Sequence, residues 1–173
     1  KAVLSKASLE DYKFRIGYAY FTRKAFEEAL PYFNDLKIND NEYRQAAHYY
    51  AGYINYELGD YGQALADLEK AERNDAYTAS VAEMKANIYY QIGRYQDVID
   101  YAEQMTAKKP ANMYLIVGDA YYTLGQYEKA AEYFDDFRKR TTSVSDRGVL
   151  FRMGYAAFKQ GENTEAVKMF EAV

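Results

Sequence analysis

Residues 51 to 71 read Ala51-Gly52-Tyr53-Ile54-Asn55-Tyr56-Glu57-Leu58-Gly59-Asp60-Tyr61-Gly62-Gln63-Ala64-Leu65-Ala66-Asp67-Leu68-Glu69-Lys70-Ala71, and their pattern returns along the chain. Gly52, Gly59, Tyr61, Ala64 and Ala71 align with Gly118, Gly125, Tyr127, Ala130 and Phe137. Gly17, Phe26, Ala29 and Phe33 form an earlier copy, Ala86, Gly93, Tyr95 and Val98 an intermediate one, and Gly154, Gly161, Ala166 and Phe170 a last one. The five leading landmarks, at 17, 52, 86, 118 and 154, stand 35, 34, 32 and 36 residues apart. A near-constant period of this size marks a chain of stacked supersecondary units, none of which can bury its apolar face alone.

Each copy reads as two helices. Tyr49, Gly52, Tyr53 and Tyr56, and then Leu65, Leu68 and Ala71, fall at three- and four-residue steps, interrupted by the turn signal Leu58-Gly59-Asp60. Gly59 ends the first helix by taking the left-handed backbone conformation without a Cβ clash; Gly93, Gly125 and Gly161 repeat it. The first copy has Lys24 there, which predicts the most strained of the turns. The small residues Gly17, Gly52, Ala86, Gly118 and Gly154 are expected to face Ala29, Ala64, Val98, Ala130 and Ala166, letting paired helices approach closely. The predicted pairs run from about Ser8 to Arg23 with 26–36, then 43–57 with 61–73, 78–92 with 95–107, 111–123 with 127–140, and 146–159 with 163–173.

Five such pairs fit one all-α domain of 173 residues, a solenoid with repeats at about 10–42, 43–75, 76–109, 110–144 and 145–173. Residues Lys1 to Ala7 are too few for a repeat and are expected to be the tail of a preceding second helix. The start without methionine and the stop inside a helix suggest a piece of a longer array, with apolar faces open at both ends. Ser8 and Asp11 have capping-box spacing. Pro31 removes the bond to the Glu27 carbonyl, so either the second helix bends there or it starts late. Lys85 stands where other copies carry Ile16, Ala51, Val117 and Met153, so either its helix is rotated or its stem lies along the core with the ammonium in solvent. Pro110 suits a first helical position, and Arg138 to Asp146 is the longest polar connection and the expected flexible point.

Hydrophobic residues make up 49% of the chain, and its 21 tyrosines each bring a hydroxyl that needs water or a partner. The net charge of −4 argues against nucleic acid, because a phosphate-backbone binder needs a basic stripe. No apolar run reaches the ~18 residues that mark a membrane-spanning helix. Without cysteine there is no zinc-thiolate site, and the redox compartment stays open.

These landmarks resemble a tetratricopeptide repeat array over about residues 10 to 173, with spacing near the family's 34-residue period. The tyrosine-rich first helices and Ala29-Leu30-Pro31-Tyr32-Phe33 also resemble the long arrays of bacterial cell-envelope proteins, which would place the chain in the envelope. The resemblance implies a right-handed superhelix whose first helices line a concave groove that binds a protein segment. Carried across position by position, that groove comprises Phe14, Tyr18 and Phe21; Tyr49, Tyr53 and Tyr56; Glu83, Asn87 and Tyr90; Leu115, Asp119 and Tyr122; and Phe151, Tyr155 and Phe158. Only Asn87 matches the carboxylate clamp of chaperone-binding relatives, so that specificity is not expected. Tyr53, Tyr56, Tyr90 and Tyr122 would either face a ligand or be buried between neighbouring first helices.

Catalytic chemistry is not expected. His48 stands where the family often carries tryptophan and reads as structural filler, with no carboxylate at metal-site or general-base spacing. Asp135-Asp136 and Glu27-Glu28 read as solvated helix faces, and Lys108-Lys109 and Arg138-Lys139-Arg140 as helix-end cations. No phosphate loop, nucleophile elbow or metal cluster is present, and no cofactor is implied. The sequence therefore supports a scaffold that captures a partner's peptide or helix in an aromatic groove. Its rivals are an architectural section of a longer array, self-associating through its ends, and a sensory domain of a larger regulator.

Overall fold

The computed structural model describes residues 6–72, 76–106, 108–142 and 144–173. Among these, ten α-helices and no strands are found: α1 (Lys6–Thr22), α2 (Phe26–Leu36), α3 (Arg44–Glu57), α4 (Tyr61–Ala71), α5 (Thr78–Gln91), α6 (Tyr95–Gln104), α7 (Ala111–Thr123), α8 (Tyr127–Arg140), α9 (Arg147–Lys159) and α10 (Asn163–Glu171). The helices expected from the repeats are all present. The chain divides into two compact units, one ending at Lys85 and the other starting at Ala86, within α5.

In the first unit, α1 packs on α2, α2 on α3 and α3 on α4, so each hairpin is closed by the next. Ala29, Phe33, Leu36, Ala47, Ala51 and Ile54 form a buried cluster edged by Phe14, Phe21 and Tyr50. The second unit repeats the scheme, with α6 on α7, α7 on α8, α8 on α9 and α9 on α10. Met113, Val117, Ala120, Ala130 and Phe134 are buried there.

The turns are built alike. Gly59 has φ +79° and Lys24 has φ 58°, the one non-glycine in the left-handed region among the described residues. Asp60 N–H donates to the Asn55 carbonyl at 2.8 Å, and Ala25 N–H donates to the Tyr20 carbonyl at 3.0 Å, so lysine closes the same turn despite its Cβ.

The close approaches involve other partners than expected. A Cβ at Gly52 would come within 2.9 Å of Leu68, and one at Gly118 within 2.7 Å of Phe134. Each large partner lies one helical turn beyond the alanine that the repeat pattern pairs with the glycine. The glycine therefore makes room for a bulky core side chain rather than for a second small one.

Other expectations are corrected. Helix α2 runs unbroken through Pro31, so it does not start late. Lys85 does not reach solvent: it is 6% exposed, and its ammonium donates to Glu72 Oε2 at 2.7 Å. Helix α1 begins at Lys6, so Ser8 lies within it rather than at its cap; the capping bond and residues 1–5 lie outside what is described. Pro110 caps α7 from one residue outside. Helix α8 ends at Arg140, as the repeat pattern predicts, so the polar connection covers 141–146 rather than Arg138 to Asp146.

Candidate functional site

The expected groove residues lie on the first helices of the hairpins, and none is fully buried. In the first unit, Phe14, Tyr18 and Phe21 form a stripe on α1, with Phe14 and Tyr18 stacked at 6.1 Å and Tyr18 and Phe21 at 6.3 Å. Tyr18 is 42% exposed. Phe21 meets Tyr53 of α3 edge-on at 5.2 Å, which joins the two first-helix stripes. Tyr49 stacks on Tyr77 at 4.3 Å, Tyr56 leans on Tyr61, and Glu83 is half-buried.

Tyr50 holds this arrangement in place. Its ring lies 4.9 Å from Phe21, 5.1 Å from Phe33, 5.5 Å from Tyr18 and 5.9 Å from Phe14. Burial pushes its phenol up to about 12, so the group stays protonated through the ordinary pH range. Sequence reasoning missed Tyr50 because it sits one residue off the groove register. Burial also raises the phenols of Tyr53 and Tyr56. No protein hydrogen-bond partner for the Tyr18, Tyr49 or Tyr56 hydroxyl is found among the described residues.

In the second unit, Tyr122 lies edge-on to Tyr127 at 5.5 Å and to Tyr155 at 5.9 Å, and Phe151 stacks on Tyr155 at 6.3 Å. Phe151 is 49% and Phe158 54% exposed, so α9 presents an open apolar stripe. Tyr90 packs on Tyr95, and its hydroxyl lies 3.4 Å from that of Thr123. Asn87 and Leu115 are half-buried. Thus Tyr53, Tyr56, Tyr90 and Tyr122 are neither swallowed by the core nor fully open.

Asp119 has a partner that the sequence did not reveal. Arg152 of α9 donates through Nε at 2.6 Å and Nη2 at 2.9 Å to its two carboxylate oxygens, a fork across 33 residues. Burial nevertheless pushes the Asp119 carboxyl above its ordinary value. No signal of local spacing connects two residues so far apart.

His48 is more than filler. It is 5% exposed, and its Nδ1 lies 2.8 Å from Oδ1 of Asp67, which also accepts from Lys37 Nζ at 2.9 Å and 2.8 Å through its two oxygens. Asn55 approaches the same carboxylate at 3.5 Å. The fold supplies the carboxylate that sequence spacing lacked. No cluster of three or more His, Cys, Asp or Glu side chains suited to a metal ion occurs among the described residues. No helix among them is long and apolar enough to cross a membrane.

Comparison with known proteins adds the family. No match was found among curated proteins. The crystal structure of MamA protein superposes with TM-score 0.78 at 21% identity, covering 94% of this chain and 88% of that one. MamA 41-end from Desulfovibrio magneticus RS-1 superposes with TM-score 0.76 at 22% identity, covering 98% and 94%. At such identity the likeness concerns the fold. Tetratricopeptide repeat profiles match residues 51–112, 83–145 and 149–173. Together with the all-α solenoid of helical hairpins, these matches show that the chain belongs to the tetratricopeptide repeat proteins, a family of protein-interaction scaffolds.

Proposed function

We propose that the aromatic faces of the first helices capture an extended or helical segment of a partner protein. The observation that carries this reading is the accessibility of the first-helix rings: Tyr18, Phe151 and Phe158 are 42%, 49% and 54% exposed. Rings with protonated phenols give apolar area and hydrogen-bond donors at a small cost in side-chain entropy, which is why tyrosine serves as an interface anchor. The net charge of −4 favours a protein segment over a nucleic acid.

The test is selection of a peptide from a random displayed library on the folded protein, followed by titration of that peptide into Tyr53→Ala/Tyr56→Ala and Tyr122→Ala/Tyr155→Ala variants. Loss of binding with an unchanged helical melting curve supports the reading. Binding that survives both double variants removes it.

A second reading, that the chain is an architectural section of a longer array, is favoured by Val167, Phe170 and Val173, which are 52%, 38% and 39% exposed. Such a surface predicts association of the isolated chain. Solution mass that rises with concentration and falls in a Val167→Ser/Phe170→Ser variant would support it, and a constant monomer mass would dismiss it.

A further inference from the structure

The space between successive second helices is lined differently in the two units, although the same repeat positions line it. In the first unit Lys37, His48, Asn55 and Asp67 knit α2, α3 and α4 together through polar contacts. Phe33 aligns with Phe134, Gly52 with Gly154 and Ala64 with Ala166, so the corresponding residues of the second unit are Arg138, Leu150, Ala157 and Met169. Three polar groups have become apolar. Arg138, Ala157 and Met169 help line a groove of about 470 Å³ formed by α8, α9 and α10.

Its floor includes Phe134, Met153, Ala157 and Met169, and its rim carries Glu128, Glu132 and Glu162. Two further rim acids are already held, Glu165 by Arg138 and Lys168, and Asp135 by Lys139. Glu128, Glu132 and Glu162 make no ion pair among the described residues. Glu128 lies in the first turn of α8 and Glu162 stands at the N-terminal boundary of α10 without a side-chain capping bond, positions where carboxylates complement the helix dipole. The dipole does not account for Glu132, one turn further along, or for the apolar floor beneath all three.

We propose that this groove docks a cationic amphipathic segment of a partner protein. Lysine or arginine side chains of the segment would meet Glu128, Glu132 and Glu162, while a short aliphatic side chain rests on Ala157 and Met169. Charge complementarity selects the class. Uncompensated carboxylates repel an anionic lipid surface or a nucleic-acid backbone, and they attract a basic helix whose apolar edge matches the floor. The site uses none of the aromatic residues of the first helices, so it stands whether or not those faces bind a peptide.

The experiment is fluorescence anisotropy of a labelled synthetic helix of alternating lysine and leucine faces, titrated with the full chain at low and moderate salt. Saturable binding that weakens with salt is expected, with Kd raised at least about tenfold in Glu128→Gln/Glu132→Gln/Glu162→Gln. The same number of charges removed elsewhere, in Glu27→Gln/Glu28→Gln/Glu69→Gln, is expected to change Kd by no more than about twofold. A peptide with glutamine in place of leucine is expected to bind more weakly, since it cannot use the floor. Circular dichroism melts establish that both triple variants are folded. Absence of saturable binding, equal weakening by the two triple variants, or equal affinity for the glutamine peptide would each overturn the proposal.

Discussion

His48 Nδ1 and Asp67 Oδ1 lie 2.8 Å apart, 19 residues from each other in sequence, and the bond ties α3 to α4 within one hairpin. A carboxylate only accepts, so Nδ1–H is the donor in this bond. Burial pushes the Asp67 carboxyl up, but the hydrogen bonds from His48 and Lys37 outweigh it and leave the group below its ordinary value. The carboxylate is therefore a stabilising anion on which Lys37, His48 and Asn55 converge.

Asp67→Asn is expected to destabilise the protein at pH 7 by about 2–4 kcal/mol, since it leaves the Lys37 ammonium without its counter-charge. The folded-state value is depressed, so this contribution is complete above the unfolded value of about 3.9 and fades as pH falls through the folded one. Denaturant unfolding of both proteins from pH 7 to pH 3 checks this. The gap should narrow on the acid side, and a constant gap would show that charge is not the source.

For Asp119 the sign is opposite. Burial raises its carboxyl, so the ionised form costs stability as pH rises through the folded value, and the Arg152 fork offsets that cost. Arg152→Ala is expected to lose about 1–3 kcal/mol at pH 7 and less at pH 4, because the carboxyl takes up its proton as pH falls through the raised folded value. Arg152→Lys keeps the charge without the fork and should fall between. Unfolding curves at the two pH values decide it.

Lys24 holds φ 58° where the other repeats use glycine. A Cβ in that region costs about 1–2 kcal/mol, partly repaid by the lower entropy loss of a non-glycine residue on folding. Lys24→Gly should raise stability by about 1 kcal/mol, and Gly59→Ala should lower it by a similar amount. Thermal melts of both variants measure the two shifts, which should have opposite signs.

At Gly118 an added Cβ would meet the Phe134 ring at 2.7 Å, whereas at Gly62 the nearest atom is Asp60 Oδ1 at 3.8 Å. Gly118→Ala is expected to cost about 1–3 kcal/mol by forcing the ring aside. Gly62→Ala, in an open stretch of helix, is expected to gain about 0.5–1 kcal/mol from propensity. A melt in which both substitutions act alike would show that helix entropy, not packing, governs these positions.

The sequence by itself determined the hairpins, their period and their turns, because each is a local consequence of spacing. Apolar residues at three- and four-residue steps make a helix face, and a glycine such as Gly125 with φ +74° ends one. It also placed Phe14, Tyr18 and Tyr155 on first helices, since a repeat carries a position's role from copy to copy. Tertiary structure alone decided the partners of polar groups. Asp67 with His48 and Arg152 with Asp119 join residues of different helices, and Lys85 with Glu72 joins α5 to the residue after α4; only the packing of those helices fixes which donor reaches which carboxylate. For the same reason the sequence could not show that Tyr50 would hold the rings of α1 in place, or that Ala157 and Met169 would line a groove.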